Sequence, residues 1–92
     1  MKVSQMTNAN YRAIANQFII TDDNGDKTYQ SYQSAIVKVT KDQNNARLVL
    51  VDSVYWNYSR TTSKYRAQFL GETTAETRAK IASGIYQLAN LN

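Results

Sequence analysis

The chain has no cysteine, no histidine and no proline, and only three glycines in 92 residues. Without cysteine there can be neither a disulfide framework nor a thiolate metal site, the staples on which small secreted domains usually depend. The commonest soft nucleophile and the commonest general base are missing together. Carboxylates are sparse, and no spacing ties Asp52, Glu72 and Glu76 into one catalytic set. No glycine-rich phosphate loop is present, and no window approaches the ~20 apolar residues of a membrane span. The opening MKVSQMTNANYR lacks the apolar run of a signal peptide. The protein is therefore expected in the cytoplasm of a bacterial cell, with Asn57-Tyr58-Ser59 an accidental glycosylation match. It is expected to be non-catalytic and to carry no cofactor and no metal.

What is there fits one small globular domain spanning residues 1–92. Hydrophobic residues make up 42% and aromatics 11%, too much apolar and aromatic surface for wholesale disorder. A chain of this size buries roughly 60–65% of its unfolded surface, enough for one thin core. Residues 1–10 are polar and are expected to be poorly ordered, or pinned only through Val3 and Met6. The net charge is +4, with the excess in the second half at Arg47, Arg60, Lys64, Arg66, Arg78 and Lys80. A basic patch of this kind attracts phosphates, although many ordinary domains carry as much charge.

Periodicity divides the chain into strands followed by helices. Tyr11, Ile14 and Phe18 recur at helical spacing after Asn8, which reads as a short helical turn, although QFIIT (Gln17 to Thr21) already reads as strand. Asn24-Gly25 is the residue pair best suited to a two-residue hairpin turn, and pairing about it sets Ile20 opposite Tyr29 and Phe18 opposite Ser31. A second hairpin joins Ser34–Thr40 to Arg47–Val51 through the loop KDQNNA. Beyond it, Tyr58, Thr62, Tyr65 and Phe69 form one helical stripe, started by Ser59 or Thr61 and stopped at Gly71. Thr73 and Glu76 have capping-box spacing for a second helix that stops at Gly84. The tail IYQLANLN could continue as helix, but a short closing strand through Ile85 to Leu91 is favoured. The fold class is α+β: a small antiparallel sheet of two hairpins plus that closing strand, with two short helices on one face.

The cluster Asp22-Asp23-Asn24-Gly25-Asp26 superficially resembles a calcium loop. Counted from Asp22, however, glycine falls at the fourth place rather than the sixth, and Gln33 stands at the twelfth, where a glutamate is required. A hairpin turn explains the residues better.

The richest stretch is Tyr55 to Gly71, YWNYSRTTSKYRAQFLG. It holds the only tryptophan, several cations and no acid. Tyr55, Trp56, Arg60, Lys64 and Arg66 are the candidate partner-binding residues, with the three cations expected to be exposed. Ser59, Arg60, Thr61 and Thr62 form a candidate anion site at a helix start, weighed against the plainer reading that the hydroxyls only cap the helix. In so small a domain a lone Trp is more often the main core anchor, the plainer reading of Trp56; if Tyr55-Trp56 is extended, at most one of the pair points inward. Tyr29 and Tyr32, in the polar strand YQSYQ, are candidate stacking or interface residues, weighed against ordinary cross-strand packing.

Three segments carry a family resemblance: NQFII (Asn16 to Ile20), QSYQSAIVKV (Gln30 to Val39) and the long string from Tyr55 to Gly84. They resemble a family of small proteins of unknown function found in phages and mobile elements of lactic streptococci and related Gram-positive bacteria. That family is marked by Q-S-Y-x-S-x-I-A followed by W-x-Y-S-x-T-T-x-K-Y-x-x-x-F-L, and Val37 replaces the expected alanine. The likeness covers roughly residues 13–92 and implies no activity. It implies a phage accessory protein that binds a host macromolecule. The favoured reading is a protein-binding inhibitor of host defence, including an inhibitor of a CRISPR effector. The alternative is a nucleic-acid-binding accessory protein using the same cations with Tyr29, Tyr32 and Trp56. The basic composition argues against acidic DNA mimicry.

Overall fold

Three loops of one construction organise the sheet. In Asn8–Arg12, Asp22–Asp26 and Asp42–Ala46 the first N–H donates to the last carbonyl at 2.9, 2.8 and 2.8 Å, and the fourth N–H donates back to the first carbonyl at 3.0, 2.9 and 3.0 Å. This closure needs a left-handed residue in fourth place, supplied by Tyr11 (φ 60°), Gly25 (φ 91°) and Asn45 (φ 65°). The Asn8 and Asp42 side chains reinforce it, each accepting two backbone N–H bonds within its own loop.

The computed structural model describes residues 1–92. The strands are β1 (Lys2–Thr7), β2 (Ala13–Thr21), β3 (Lys27–Ser31), β4 (Ser34–Lys41), β5 (Arg47–Asp52) and β6 (Gln87–Ala89), with helices α1 (Arg60–Leu70) and α2 (Thr74–Ala82) between β5 and β6. All six strands form one sheet in chain order. Every pair is antiparallel except β5–β6, which is parallel because the helices carry the chain back to the sheet's starting end. The fold is the expected α+β arrangement, extended by β1. Residues 2–7 are an edge strand rather than a loose lead-in: backbone pairing with β2 holds them, and Met6 alone enters the core while Val3 is exposed. No helical turn forms after Asn8, whose side chain closes the first loop instead.

The register about Asn24-Gly25 also differs from expectation. The three-residue loop slips the pairing by one, so Ile19, not Ile20, faces Tyr29, and Phe18 faces Gln30. A one-residue slip exchanges sheet faces, so Ile19 joins the helix-covered side while Phe18 and Ile20 turn to the open side. The two-residue turn of the molecule is Tyr32-Gln33, between β3 and β4, with Tyr32 at φ 56°.

The core lies between the sheet and the helices. Met6, Tyr29, Ile36, Val37, Val49, Val51 and Tyr86 are buried, and Trp56, Tyr65, Phe69, Leu70 and Ile81 pack against them. Burying seven large apolar side chains contributes on the order of 1.5–3 kcal/mol each before conformational entropy is offset. Ile36 and Val37 are buried side by side because a register irregularity between Tyr29 and Gln30 breaks the strict alternation.

Both helices begin and end where local chemistry dictates. Ser59 caps α1 by accepting from the Thr62 N–H, and Gly71 (φ 71°) ends it. Thr73 and Glu76 form a reciprocal capping box on α2. Two polar ties fasten the helical crossover. Asp52, buried at the end of β5, accepts from the N–H groups of Val54, Tyr55 and Leu91 and from the Asn92 amide. Glu72 accepts from the Tyr86 hydroxyl and pairs with Lys80 at 2.7 Å. No helix is long and apolar enough to cross a membrane.

Candidate functional site

The segment Ser53–Ser59 leaves β5 and folds over the side of α1, and this separates the candidate residues into three groups. The first is internal. Arg66 is 0% exposed: its guanidinium donates to the Trp56 carbonyl, to Asn57 Oδ1 at 3.2 Å and to Thr74 Oγ1 at 2.7 Å. It also stacks on the Trp56 ring, 5.1 Å from the centroid. No carboxylate pairs with it, and burial pulls its pKa below the usual arginine value. Arg66 is thus a tie between the connecting segment, α1 and α2, not the exposed anchor that its charge suggested.

Tyr29 is likewise 0% exposed. Its hydroxyl donates to Gln17 Oε1 at 2.5 Å and its ring lies 6.0 Å from that of Phe69. Burial pushes its pKa up to about 12. No stacking face is left for a ligand. Thr62 is buried as well, its hydroxyl accepting from Ser59 Oγ at 2.9 Å and donating to Ser31 Oγ at 3.3 Å. With Ser59 capping the Thr62 N–H, two of the hydroxyls proposed to hold an anion are consumed inside the helix start. The plainer capping reading accounts for them.

The second group is half-buried. Tyr55 and Trp56 both pack against the core and each stays partly exposed. Tyr55 meets Tyr58 edge-on at 5.2 Å. The Trp56 ring lies within reach of two guanidiniums, with Arg78 5.6 Å from its centroid.

The third group is at the surface. Tyr32 is 54% exposed beside the start of α1, where neighbouring Ser31 meets Thr62. Tyr58, Arg60, Thr61 and Lys64 are exposed on the first turns of α1 or just before it, and Arg78 is exposed on α2. None of Arg60, Lys64 and Arg78 forms an ion pair. The surface near the start of α1 therefore offers Tyr32, Tyr58, Arg60 and Lys64, with Arg78 reaching the Trp56 ring from α2. Aromatic faces and guanidiniums of this kind carry much of the binding energy at protein interfaces. Arg78 was not singled out from sequence as a binding residue. Its only sequence signal is membership of the basic second half.

Arg47 does not belong to this surface. It begins β5, whereas Tyr55 follows the end of that strand. Tyr11 is a further residue that pattern reading passed over: it is 90% exposed at the tip of the first hairpin, in a left-handed conformation. No group of three or more acidic side chains is placed to hold a metal ion.

A family model described as "Family of unknown function (DUF8033)" matches residues 1–84. No curated protein and no solved structure matches the chain.

Proposed function

We propose that this chain, which belongs to the DUF8033 family of unknown function, is a non-catalytic domain that binds a host protein through the surface around the start of α1. The observation that carries this reading is the grouping of exposed Tyr32 and Tyr58 with Arg60, Lys64 and Arg78, cations that no acid of the chain neutralises. Tyr32 sits at φ 56°, a conformation that disfavours a bulky side chain and marks a position held for its surroundings or its use. The partner is an acidic protein surface. The likeness of the Trp56–Leu70 string to phage and mobile-element proteins makes a host defence protein the favoured target, with an immune effector of the CRISPR type among the candidates and the bacterial cytoplasm as the place of action.

The second reading is a nucleic-acid-binding accessory protein using the same free cations, with Tyr32 and Tyr58 as stacking faces. Salt separates the two. Phosphate contacts weaken steeply with ionic strength through counterion release, whereas an interface anchored by tyrosine depends on it less. The test is affinity capture from host lysate with tagged protein, with and without nuclease. The double substitution Arg60→Glu/Lys64→Glu is expected to abolish nuclease-resistant capture while leaving the fold intact, since both side chains are exposed. Undiminished capture by that variant would count against this surface.

A further inference from the structure

At the opposite end of the sheet the helix-facing surface is not fully covered. Beside the last turn of α1 lies an open trough of about 310 Å³, floored by Met6, Ile19, Val39 and Phe69 and edged by Lys27, Arg47 and Gln68. A polar hollow of about 370 Å³ between the β2–β3 and β4–β5 loops adjoins it, sharing Val39 and Arg47 and adding Lys41.

The charges here are unbalanced. Lys27, Lys41 and Arg47 form no ion pair, the nearby Asp26 carboxylate being engaged with Lys38 at 3.8 Å. Asp42 Oδ1 is held by its own loop, accepting from Asn44 and Ala46. Lys41 and Arg47 are direct cross-strand partners. By the two-residue alternation of a strand they share the face of the paired Val39 and Val49. Like charges set directly opposite one another destabilise a sheet, and an anion lying over them would remove that cost. The lining points to the kind of occupant: an apolar floor of Met6, Ile19, Val39 and Phe69 rimmed by unpaired cations matches an apolar anchor flanked by carboxylates.

We propose that this trough docks an acidic peptide segment of a protein partner, one large apolar side chain seated on Met6, Ile19, Val39 and Phe69 and its flanking carboxylates over Lys27, Lys41 and Arg47. This deepens the reading of the protein as a protein-binding domain, but it uses a surface at the far end of the eleven-residue α1 from its start, roughly 15 Å away. The two surfaces can therefore fail separately.

The test is selection of a random dodecapeptide display library on the wild-type protein, followed by titration of the enriched peptide into ¹⁵N-labelled protein. The expected result is a consensus with Asp or Glu on both sides of a Phe, Leu, Ile or Trp. Its amide shifts should centre on Ile19, Lys27, Val39, Arg47 and Phe69. Lys41→Glu/Arg47→Glu should weaken the peptide by about tenfold or more, whereas Arg60→Glu/Lys64→Glu should leave it unchanged. Both pairs are exposed, and the unperturbed spectrum of each variant confirms its fold. The proposal is overturned if no peptide is enriched, if the consensus lacks acids, or if the shifts fall on the start of α1. It is equally overturned if sodium decanoate, titrated in parallel, occupies the trough more tightly than the selected peptide, which would make it a site for small anionic amphiphiles.

Discussion

The Arg66 guanidinium stacks on the Trp56 ring at 5.1 Å while donating to that same residue's carbonyl oxygen. One side chain thus fixes both the ring and the backbone of the residue that leads from β5 into α1, and through Thr74 it also holds the start of α2. Because its acceptors are neutral, its removal leaves no buried carboxylate behind, but it orphans the Trp56 carbonyl and Thr74 Oγ1 and opens a gap, while Asn57 Oδ1 keeps its bond from Ser63 Oγ. Arg66→Ala should lower stability by about 2–4 kcal/mol, read from the urea midpoint. Arg66→Met, which refills most of the buried side-chain volume, should lose less. A change within a few tenths of a kcal/mol for Arg66→Ala would mean that the contact carries no weight.

Alkaline stability follows from Tyr29. Burial raises its folded-state pKa to about 12 from an ordinary value of 10.0, so its contribution is complete below pH 10 and is lost as pH rises through the folded value. Between those limits the unfolded chain releases a proton that the folded chain keeps, and stability should fall by about 1.4 kcal/mol per pH unit from this group. Tyr29→Phe should flatten that limb in denaturant titrations at successive pH values. It should also cost about 1 kcal/mol at neutral pH through the lost bond to Gln17.

Asp52 governs the acid side. Burial opposes its ionisation, but the N–H groups of Leu91, Tyr55 and Val54 and the Asn92 amide outweigh that and hold its pKa below the ordinary 3.8. A depressed carboxylate contributes stability that is present above the unfolded value and lost as pH falls through the folded one. Asp52→Asn should remove that acid-dependent part and destabilise the domain by about 1–3 kcal/mol at pH 7. The first amides to lose hydrogen-exchange protection should be those of β6 and the tail, because Leu91 and Asn92 are held by this carboxylate.

The three like-built loops allow an internal comparison. Position four holds glycine in one and asparagine in another, but Tyr11 in the first. The left-handed region suits asparagine better than a bulky residue. Tyr11→Asn should therefore stabilise the domain by about 0.5–1 kcal/mol, read as a rise in the urea midpoint. A loss would show that the exposed ring makes a contact worth more than its backbone strain.

The helices were the most legible part of the sequence, because Ser59, Gly71, Thr73 and Glu76 act on backbone groups within one turn of themselves. The strands were legible as strands, but their register was not. Asn24-Gly25 serves a two-residue turn and a three-residue loop equally well, and the choice is made by how Asp22 and Asp26 close the loop. β1 was missed because an edge strand that buries only Met6 carries almost no alternation. At the candidate site, Arg66 misled through its charge. It lies four residues after Thr62 on the stripe that α1 turns inward, a placement that would have flagged it, but its neutral partners Asn57 and Thr74 come from segments whose approach only the fold reveals. Tyr29 shows the same limit: a tyrosine in a polar strand is an interface residue or a core residue according to which face the helices cover. The cations of the trough, from three different strands, gave no local signal.

The central claim is tested most directly by affinity capture from host lysate, with the wild-type protein and Arg60→Glu/Lys64→Glu compared side by side after nuclease treatment. A host protein retained by the wild type and lost by the double variant is the predicted result. Capture that disappears with nuclease, or that the double variant retains in full, would contradict a protein interface around Tyr32, Tyr58 and the start of α1.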